Sequence, residues 1–173
     1  ISEGLALQGI RLLNTALPRV AAQPDDAAAR EQALVGAYLS GLVISNARVG
    51  IHHGVCHGLG ALGGLPHGVA NAILLPHSMH FNREAAAEPL ALAAQAFGVD
   101  TRGASPLQAA DAAIAAVQAL QQRLGLPRRL RDAGLVRELL PQLAQDALSD
   151  RGLYFNPRPA GAAEVLALLE AAW

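Results

Sequence analysis

The chain has 173 residues, 52% hydrophobic and 16% charged, enough apolar surface for a real core, which excludes a disordered segment. With 13 basic residues, all of them arginine, against 14 acidic ones, the formal charge is −1, so nothing electrostatic points to nucleic acid or an anionic membrane as a partner. One cysteine, Cys56, excludes an internal disulfide framework and any zinc site made of cysteine alone.

In chain order, Ala6, Ile10, Leu13 and Leu17 fall on one helical stripe, and Pro18 is expected to end that segment. Pro24, Asp25 and Asp26 read as a helix start, because proline and early acids suit a first turn whose N–H groups lack partners. The helix that follows should run to about Arg48. Ala33, Ala37 and Gly41 form a small-residue row along it, which predicts a core helix closely approached by another. Leu90 to Phe97 reads as a short helix closed by Gly98. Ser105-Pro106 opens another, carrying Leu107, Ile114, Val117, Leu120 and Leu124, which Gly125 to Pro127 stops. Leu135 to Leu148 and Ala162 to Trp173 supply two more, separated by a turn-rich linker from Tyr154 to Gly161. No stretch alternates with period two and no hairpin turn joins a strand pair. The expected fold class is all-α, a helical bundle forming one domain.

All 6 histidines lie between Gly50 and Asn82, in GIHHGVCHGLGALGGLPHGVANAILLPHSMHFN. His53 and His57 are one helical turn apart, so both imidazoles can reach a common point, with His52 turned away. His67 follows Pro66 at the start of the next helix and can meet that pair across a glycine-rich turn. Neutral imidazole is the commonest metal-binding side chain, for zinc and ferrous iron among others. Most such pairs are surface or hydrogen-bonded core residues, and His77 and His80, beyond the inferred focus, read that way. Cys56 reads as a small buried hydrophobe. Gly58 to Gly63, GLGALG, matches a dinucleotide-loop pattern, but that mechanism requires a strand before the glycines and a helix directly after them. No cofactor-binding residue is therefore assigned.

The stretch GIHHGVCHGLGALGGLPHGVANAILLPH resembles the metal-binding signature of the iron-containing (group III) alcohol dehydrogenases. The resemblance covers nearly the whole chain: AAREQALVGAYLSGLVISNARVGIHH before it, GLPRRLRDAGL after it and NPRP before the last helix keep the family's order. IHHGVCH is nearer the maleylacetate reductase branch, whereas LPHGVANAILLP follows the alcohol dehydrogenase form.

The resemblance implies a dehydroquinate synthase-like two-domain enzyme, in which an N-terminal α/β domain binds NAD(P) and a C-terminal helical domain binds the metal. Residues 1–173 correspond to the latter, expected as a single helical metal-binding domain, incomplete at its N-terminus and without the nucleotide-binding domain. By the family's pattern His53 and His67 are metal ligands, and His57 lies in the cleft near substrate and nicotinamide. The family's other ligands, an aspartate and a histidine on an earlier helix, have no counterpart here. Two imidazoles fall short of the three protein ligands a catalytic metal keeps, so this chain alone is expected to hold metal weakly and to be inactive. The implied chemistry is hydride transfer between NAD(P) and a small alcohol or carbonyl compound, polarised by Fe²⁺ or Zn²⁺, with His57 relaying the proton. Tyr154, Phe155 and Asn156 either approach that cleft or cap the last helix. The alternative is an inactive helical interaction module derived from such an enzyme. A stand-alone metal hydrolase ranks below both, since no acidic base sits beside the histidine pair. No signal peptide and no membrane-spanning run is recognisable, a reducing cytoplasmic compartment is expected, and a homo-oligomer suits the Ala- and Leu-rich helices.

Overall fold

The computed structural model describes Ile1–Trp173. Every regular element is helical: α1 (Ser2–Ala22), α2 (Ala27–Asn46), α3 (Ile51–Ala61), α4 (His67–Asn82), α5 (Ala87–Ala96), α6 (Pro106–Arg123), α7 (Leu140–Ala147) and α8 (Ala162–Ala172), with 3₁₀ turns at Arg131–Ala133, Arg137–Leu139 and Arg151–Phe155. The all-α expectation therefore holds. No single helix is long and apolar enough to cross a membrane. The chain divides into two compact units, Ile1–Arg48 with Ala86–Leu124, and Val49–Ala85 with Gly125–Trp173.

The first unit comprises α1, α2, α5 and α6, with α1 packing on the other three. Contrary to the sequence reading, α1 does not end at Pro18 but carries it inside the helix to Ala22. A proline forfeits one backbone hydrogen bond and costs a free helix about 3 kcal/mol. Packing of α1 on its neighbours offsets that loss. Asp26 caps α2, its side chain accepting from the Ala29 N–H at 3.0 Å. The expectation that α2 is a core helix approached along Ala33, Ala37 and Gly41 fails. Ala37 and Gly41 are exposed, as are Leu34, Val35, Tyr38 and Ile44. The close approach occurs instead between Gly9 of α1 and Gly36 of α2, where a Cβ on Gly36 would lie 2.8 Å from Leu13 Cγ. The α6 helix starts as expected: Ser105 Oγ accepts from the Gln108 N–H while Gln108 Oε1 accepts from the Ser105 N–H. Buried positions in this unit are mostly alanine and glycine, with Ile114, Val117 and Gln121 the larger exceptions.

The second unit is built from α3, α4, α7 and α8 around Ile51, Leu59, Ile73, Leu74, Leu143 and Leu169, all with 0–1% exposure. Fully burying each such side chain is worth roughly 1.5–3 kcal/mol, so this core is held far more strongly per residue than an alanine core. The α7 helix begins at Leu140 rather than Leu135. Pro141 has no N–H to give the Arg137 carbonyl, so the α pattern cannot run back through it. Residues before it form 3₁₀ turns, and the Leu135 carbonyl accepts from Trp173 Nε1 at 3.2 Å. The turn after α7 starts at Arg151, so Tyr154 and Phe155 belong to it rather than to a later linker.

Candidate metal and proton-transfer site

The α3 helix is fixed from a distance. Its first N–H, on Ile51, donates to Asn156 Oδ1 at 3.1 Å, across 105 residues of sequence. Asn156 also exchanges two hydrogen bonds with Asn82 at the end of α4, at 2.7 and 3.0 Å, and donates to the Arg158 carbonyl. Asn156 thus clasps the start of α3 to the end of α4. It does not cap α8, whose Gly161 N–H donates to Glu164 Oε2. One face of α3 is a row of glycines four residues apart. A Cβ on Gly50 would lie 2.7 Å from Asn156 Oδ1, one on Gly54 2.6 Å from Leu153 Cδ1, and one on Gly58 3.3 Å from Leu143 Cδ2. The small-residue row that permits close approach is therefore in the histidine helix.

That approach places the Asp150 turn beside the histidines. The turn from α3 to α4 runs through Gly64, whose φ of +67° suits only glycine well, and α4 starts at His67 as the sequence predicts. The rings of His53, His57 and His67 then form a triangle, with centroids 5.7 Å apart for His53 and His67, 6.0 Å for His57 and His67, and 6.1 Å for His53 and His57. His57 and His67 are nearly parallel and both exposed, while His53 is half-buried. No group of three or more His, Cys, Asp or Glu side chains is arranged to hold a metal ion.

His57 Nδ1 donates to Asp150 Oδ2 at 2.8 Å, and Asp150 Oδ1 accepts from the Gly152 N–H at 2.7 Å. Burial alone would raise the Asp150 pKa, but the bonds from His57 and Gly152, together with the positive potential of His57 and His53, hold it below the usual carboxylate value. Sequence reasoning missed Asp150, because an aspartate after a helix reads only as a turn former. Nothing in a one-dimensional pattern joins it to His57 across 93 positions.

His52 is turned towards α4, where its Nε2 donates to the Asn71 carbonyl at 2.9 Å. A carbonyl only accepts, so this nitrogen carries the proton and offers no lone pair. Burial, partly opposed by that bond, lowers the pKa of His52. His53 is lowered too, first by burial and then by repulsion from His67 and His57. In both, the lowering favours the neutral ring, the form in which imidazole binds metal. Cys56 is fully buried and its thiol is pushed up to about 12, an inert apolar residue as expected. His77 is half-buried and His80 exposed, both on α4 beyond the triangle.

The GLGALG stretch is not a dinucleotide loop: Gly58 and Gly60 lie inside α3, and no strand precedes them. A groove of about 300 Å³ opens beside His57, lined in part by Gly54, Gly58, Leu62, Asp146 and Asp150. Tyr154 and Asn156 line a separate cavity of about 310 Å³ with Leu148 and Pro159.

Taken together, an all-helical unit presents histidines from two turn-linked helices close to one another, with the Asp150 carboxylate behind one of them. All 173 residues match the sequence profile described as the Fe-containing alcohol dehydrogenase family, C-terminal, and the chain belongs to this family. It is 39% identical to the lactaldehyde reductase of Escherichia coli (strain K12) over 173 residues, 100% of this chain and 45% of that protein. It is 36% identical to the maleylacetate reductase of Burkholderia cepacia over 169 residues, 98% of this chain and 44% of that protein. Among solved structures, a 1,3-propanediol oxidoreductase superposes with a TM-score of 0.96 at 37% identity, over 99% of this chain and 45% of that one. The chain spans less than half the length of the curated relatives it matches.

Proposed function

We propose that these residues form the helical, metal-binding part of an NAD(P)-dependent oxidoreductase that interconverts a small alcohol and its carbonyl compound. The observation carrying this reading is the His53–His67 pair. Two imidazoles sharing one ion at ~2.0–2.1 Å from each nitrogen have centroids roughly 5 Å apart. His52 and His53 lie at 5.2 Å, but the His52 Nε2 is taken by the Asn71 carbonyl, and among the three pairs of the triangle the 5.7 Å of His53 and His67 is the nearest to that spacing. His53 and His67 would hold the metal, Fe²⁺ or Zn²⁺, as two of its ligands, the others coming from residues outside the 173. When bound, the ion supplies Lewis-acid polarisation of the substrate oxygen. The nicotinamide nucleotide, whose hydride the reaction moves, would be held mainly by residues outside this segment, since the chain has no dinucleotide loop.

The chain's own groups have distinct tasks. His53 and His67 are presented by the turn-linked pair α3 and α4, whose relative position the Asn156–Asn82 clasp fixes. His57, one turn along α3, lines the groove and carries the proton to or from the alcohol oxygen, a task for which imidazole is the commonest side chain. The apolar residues beneath α3 keep water from its buried face. Lactaldehyde reductase and 1,3-propanediol dehydrogenase among the relatives favour short alcohols, diols or their aldehydes, and maleylacetate reductase favours an oxo-acid.

One observation favours a second reading, an inactive helical module: no three donor side chains in the chain converge. The complete natural polypeptide containing these residues decides between the two. Assayed with NAD⁺ and NADP⁺ against a panel of short alcohols and diols, it is expected to reduce the nucleotide, to lose that activity to a chelator and to regain it with Fe²⁺ or Zn²⁺. Absence of turnover in both directions, with metal supplied and maleylacetate and short aldehydes included, favours the inactive module.

A further inference from the structure

We propose that Asp150 is the positioning residue for His57: it fixes the ring's tautomer, so that Nδ1 carries the proton and Nε2 keeps its lone pair. This rests on the assignment of His57 as the proton carrier and goes beyond it by naming the group that sets its working form. A carboxylate has only acceptors, so the 2.8 Å bond from His57 Nδ1 requires the hydrogen on Nδ1. In the neutral ring Nε2 is then an acceptor, ready to take a proton from a bound hydroxyl or, once protonated, to return it to a carbonyl oxygen.

Three features show that the contact is built into the fold. Asp150 Oδ1 is occupied separately by the Gly152 N–H at 2.7 Å, so the carboxylate is held on both oxygens and cannot swing freely. Gly54 lets the turn approach α3, since a Cβ there would lie 3.4 Å from Asp150 Oδ1 and 2.6 Å from Leu153 Cδ1. Gly152 is needed in turn, because a Cβ on it would lie 3.0 Å from Asp150 Oδ1 and 3.1 Å from the Gly50 carbonyl oxygen. Two glycines and two hydrogen bonds thus converge on an aspartate whose free oxygen serves one histidine. His57 itself is half exposed, at 53%, against 24% for Asp150. The pair is therefore too screened to matter much for stability, and its value lies in orientation.

An asparagine at 150 can accept through one atom only. If its oxygen keeps the Gly152 N–H, its amide faces Nδ1 as a donor and drives the proton to Nε2. The Nε2 lone pair is lost, while the shape of the turn is kept. The same exchange in the serine-protease triad lowers kcat by about 10⁴ through the wrong tautomer.

The test uses the complete natural polypeptide with its metal, ¹⁵N-labelled at histidine, with the His57 signals assigned by their loss in His57→Gln. Long-range ¹H–¹⁵N spectra are expected to show His57 protonated on Nδ1 in the parent and on Nε2 in Asp150→Asn. Turnover should fall at least tenfold in kcat, with KM, metal content and melting temperature little changed. An Nε2-protonated His57 in the parent overturns the proposal, as does an unchanged tautomer in Asp150→Asn. Loss of metal in Asp150→Asn also overturns it, by making His57 a ligand with Asp150 behind it. The reading of His57 as proton carrier fails separately, if His57→Gln keeps full turnover while the spectra still show the predicted tautomers.

Discussion

The two units solve the same packing problem with different materials. In the first, α1, α2, α5 and α6 come together through alanine and glycine, as at Gly9 and Gly36, and Asn14 of α1 donates to the Phe97 carbonyl and accepts from Arg123. In the second, a leucine and isoleucine core surrounds α3 and α4, and long-range polar bonds from Asn156 and Asp150 pin the histidine helix. Small side chains give close helix contacts but little hydrophobic stabilisation per residue. Both units carry hydrogen bonds across 74 or more positions, so it is the large side chains of the second that make the better-held scaffold for rings at set distances. Chemistry needs such stiffness, because a functional geometry is lost with displacements of about an ångström. The histidines lie in the unit that has it.

That contrast predicts unequal responses to substitution. The largest loss is expected at the α3–α4 turn. Gly63→Ala would put a Cβ 2.7 Å from both the Leu59 carbonyl oxygen and Leu135 Cδ1, and since backbone cannot yield cheaply it should cost about 3 kcal/mol in denaturant unfolding. Next comes Asn156→Ala. It orphans the Ile51 N–H and both amide partners on Asn82, for a loss of about 2 kcal/mol. A smaller effect is expected in the first unit, where Ser105→Ala removes one half of a capping box and should cost about 1 kcal/mol. Equal losses at Asn156 and Ser105 would mean that the long-range clasp is worth no more than a local cap.

Acid should act on the second unit as well. Burial first, then the charges of Arg129 and His80, hold the His77 pKa below its ordinary value. The unfolded residue, near ~6.5, takes up a proton before the folded one. Stability is thus fully present above about pH 6.5 and is lost as pH falls from there towards the folded pKa. Burial of His52 has the same sign. Thermal melts should show a falling Tm on acidification through this window, with a shallower slope in His77→Gln. The smallest effect belongs to the exposed face of α2. Tyr38 is 66% exposed, and Tyr38→Ser should change stability by no more than about 0.5 kcal/mol.

Much of this was legible in the sequence, and what was not has identifiable causes. Asp26, Ser105-Pro106 and Gly98 mark helix ends because capping is local chemistry, readable within four residues. The two-helix histidine arrangement follows from helical spacing and a glycine turn. Pro18 misled, because a proline's local cost says nothing of the packing that offsets it. The row Ala33, Ala37, Gly41 misled for the converse reason: small residues permit an approach without requiring one, and the row in contact is Gly50, Gly54, Gly58. Asp150 was invisible, since its meaning depends on a partner 93 positions away.

The assignment of His53 and His67 as the metal-holding pair is tested most directly by elemental analysis of the complete natural polypeptide and its single-histidine variants. His53→Ala and His67→Ala are each expected to lose the bound Fe²⁺ or Zn²⁺, while His52→Ala, whose Nε2 is committed to the Asn71 carbonyl, keeps it. Full metal occupancy in both His53→Ala and His67→Ala would contradict the account.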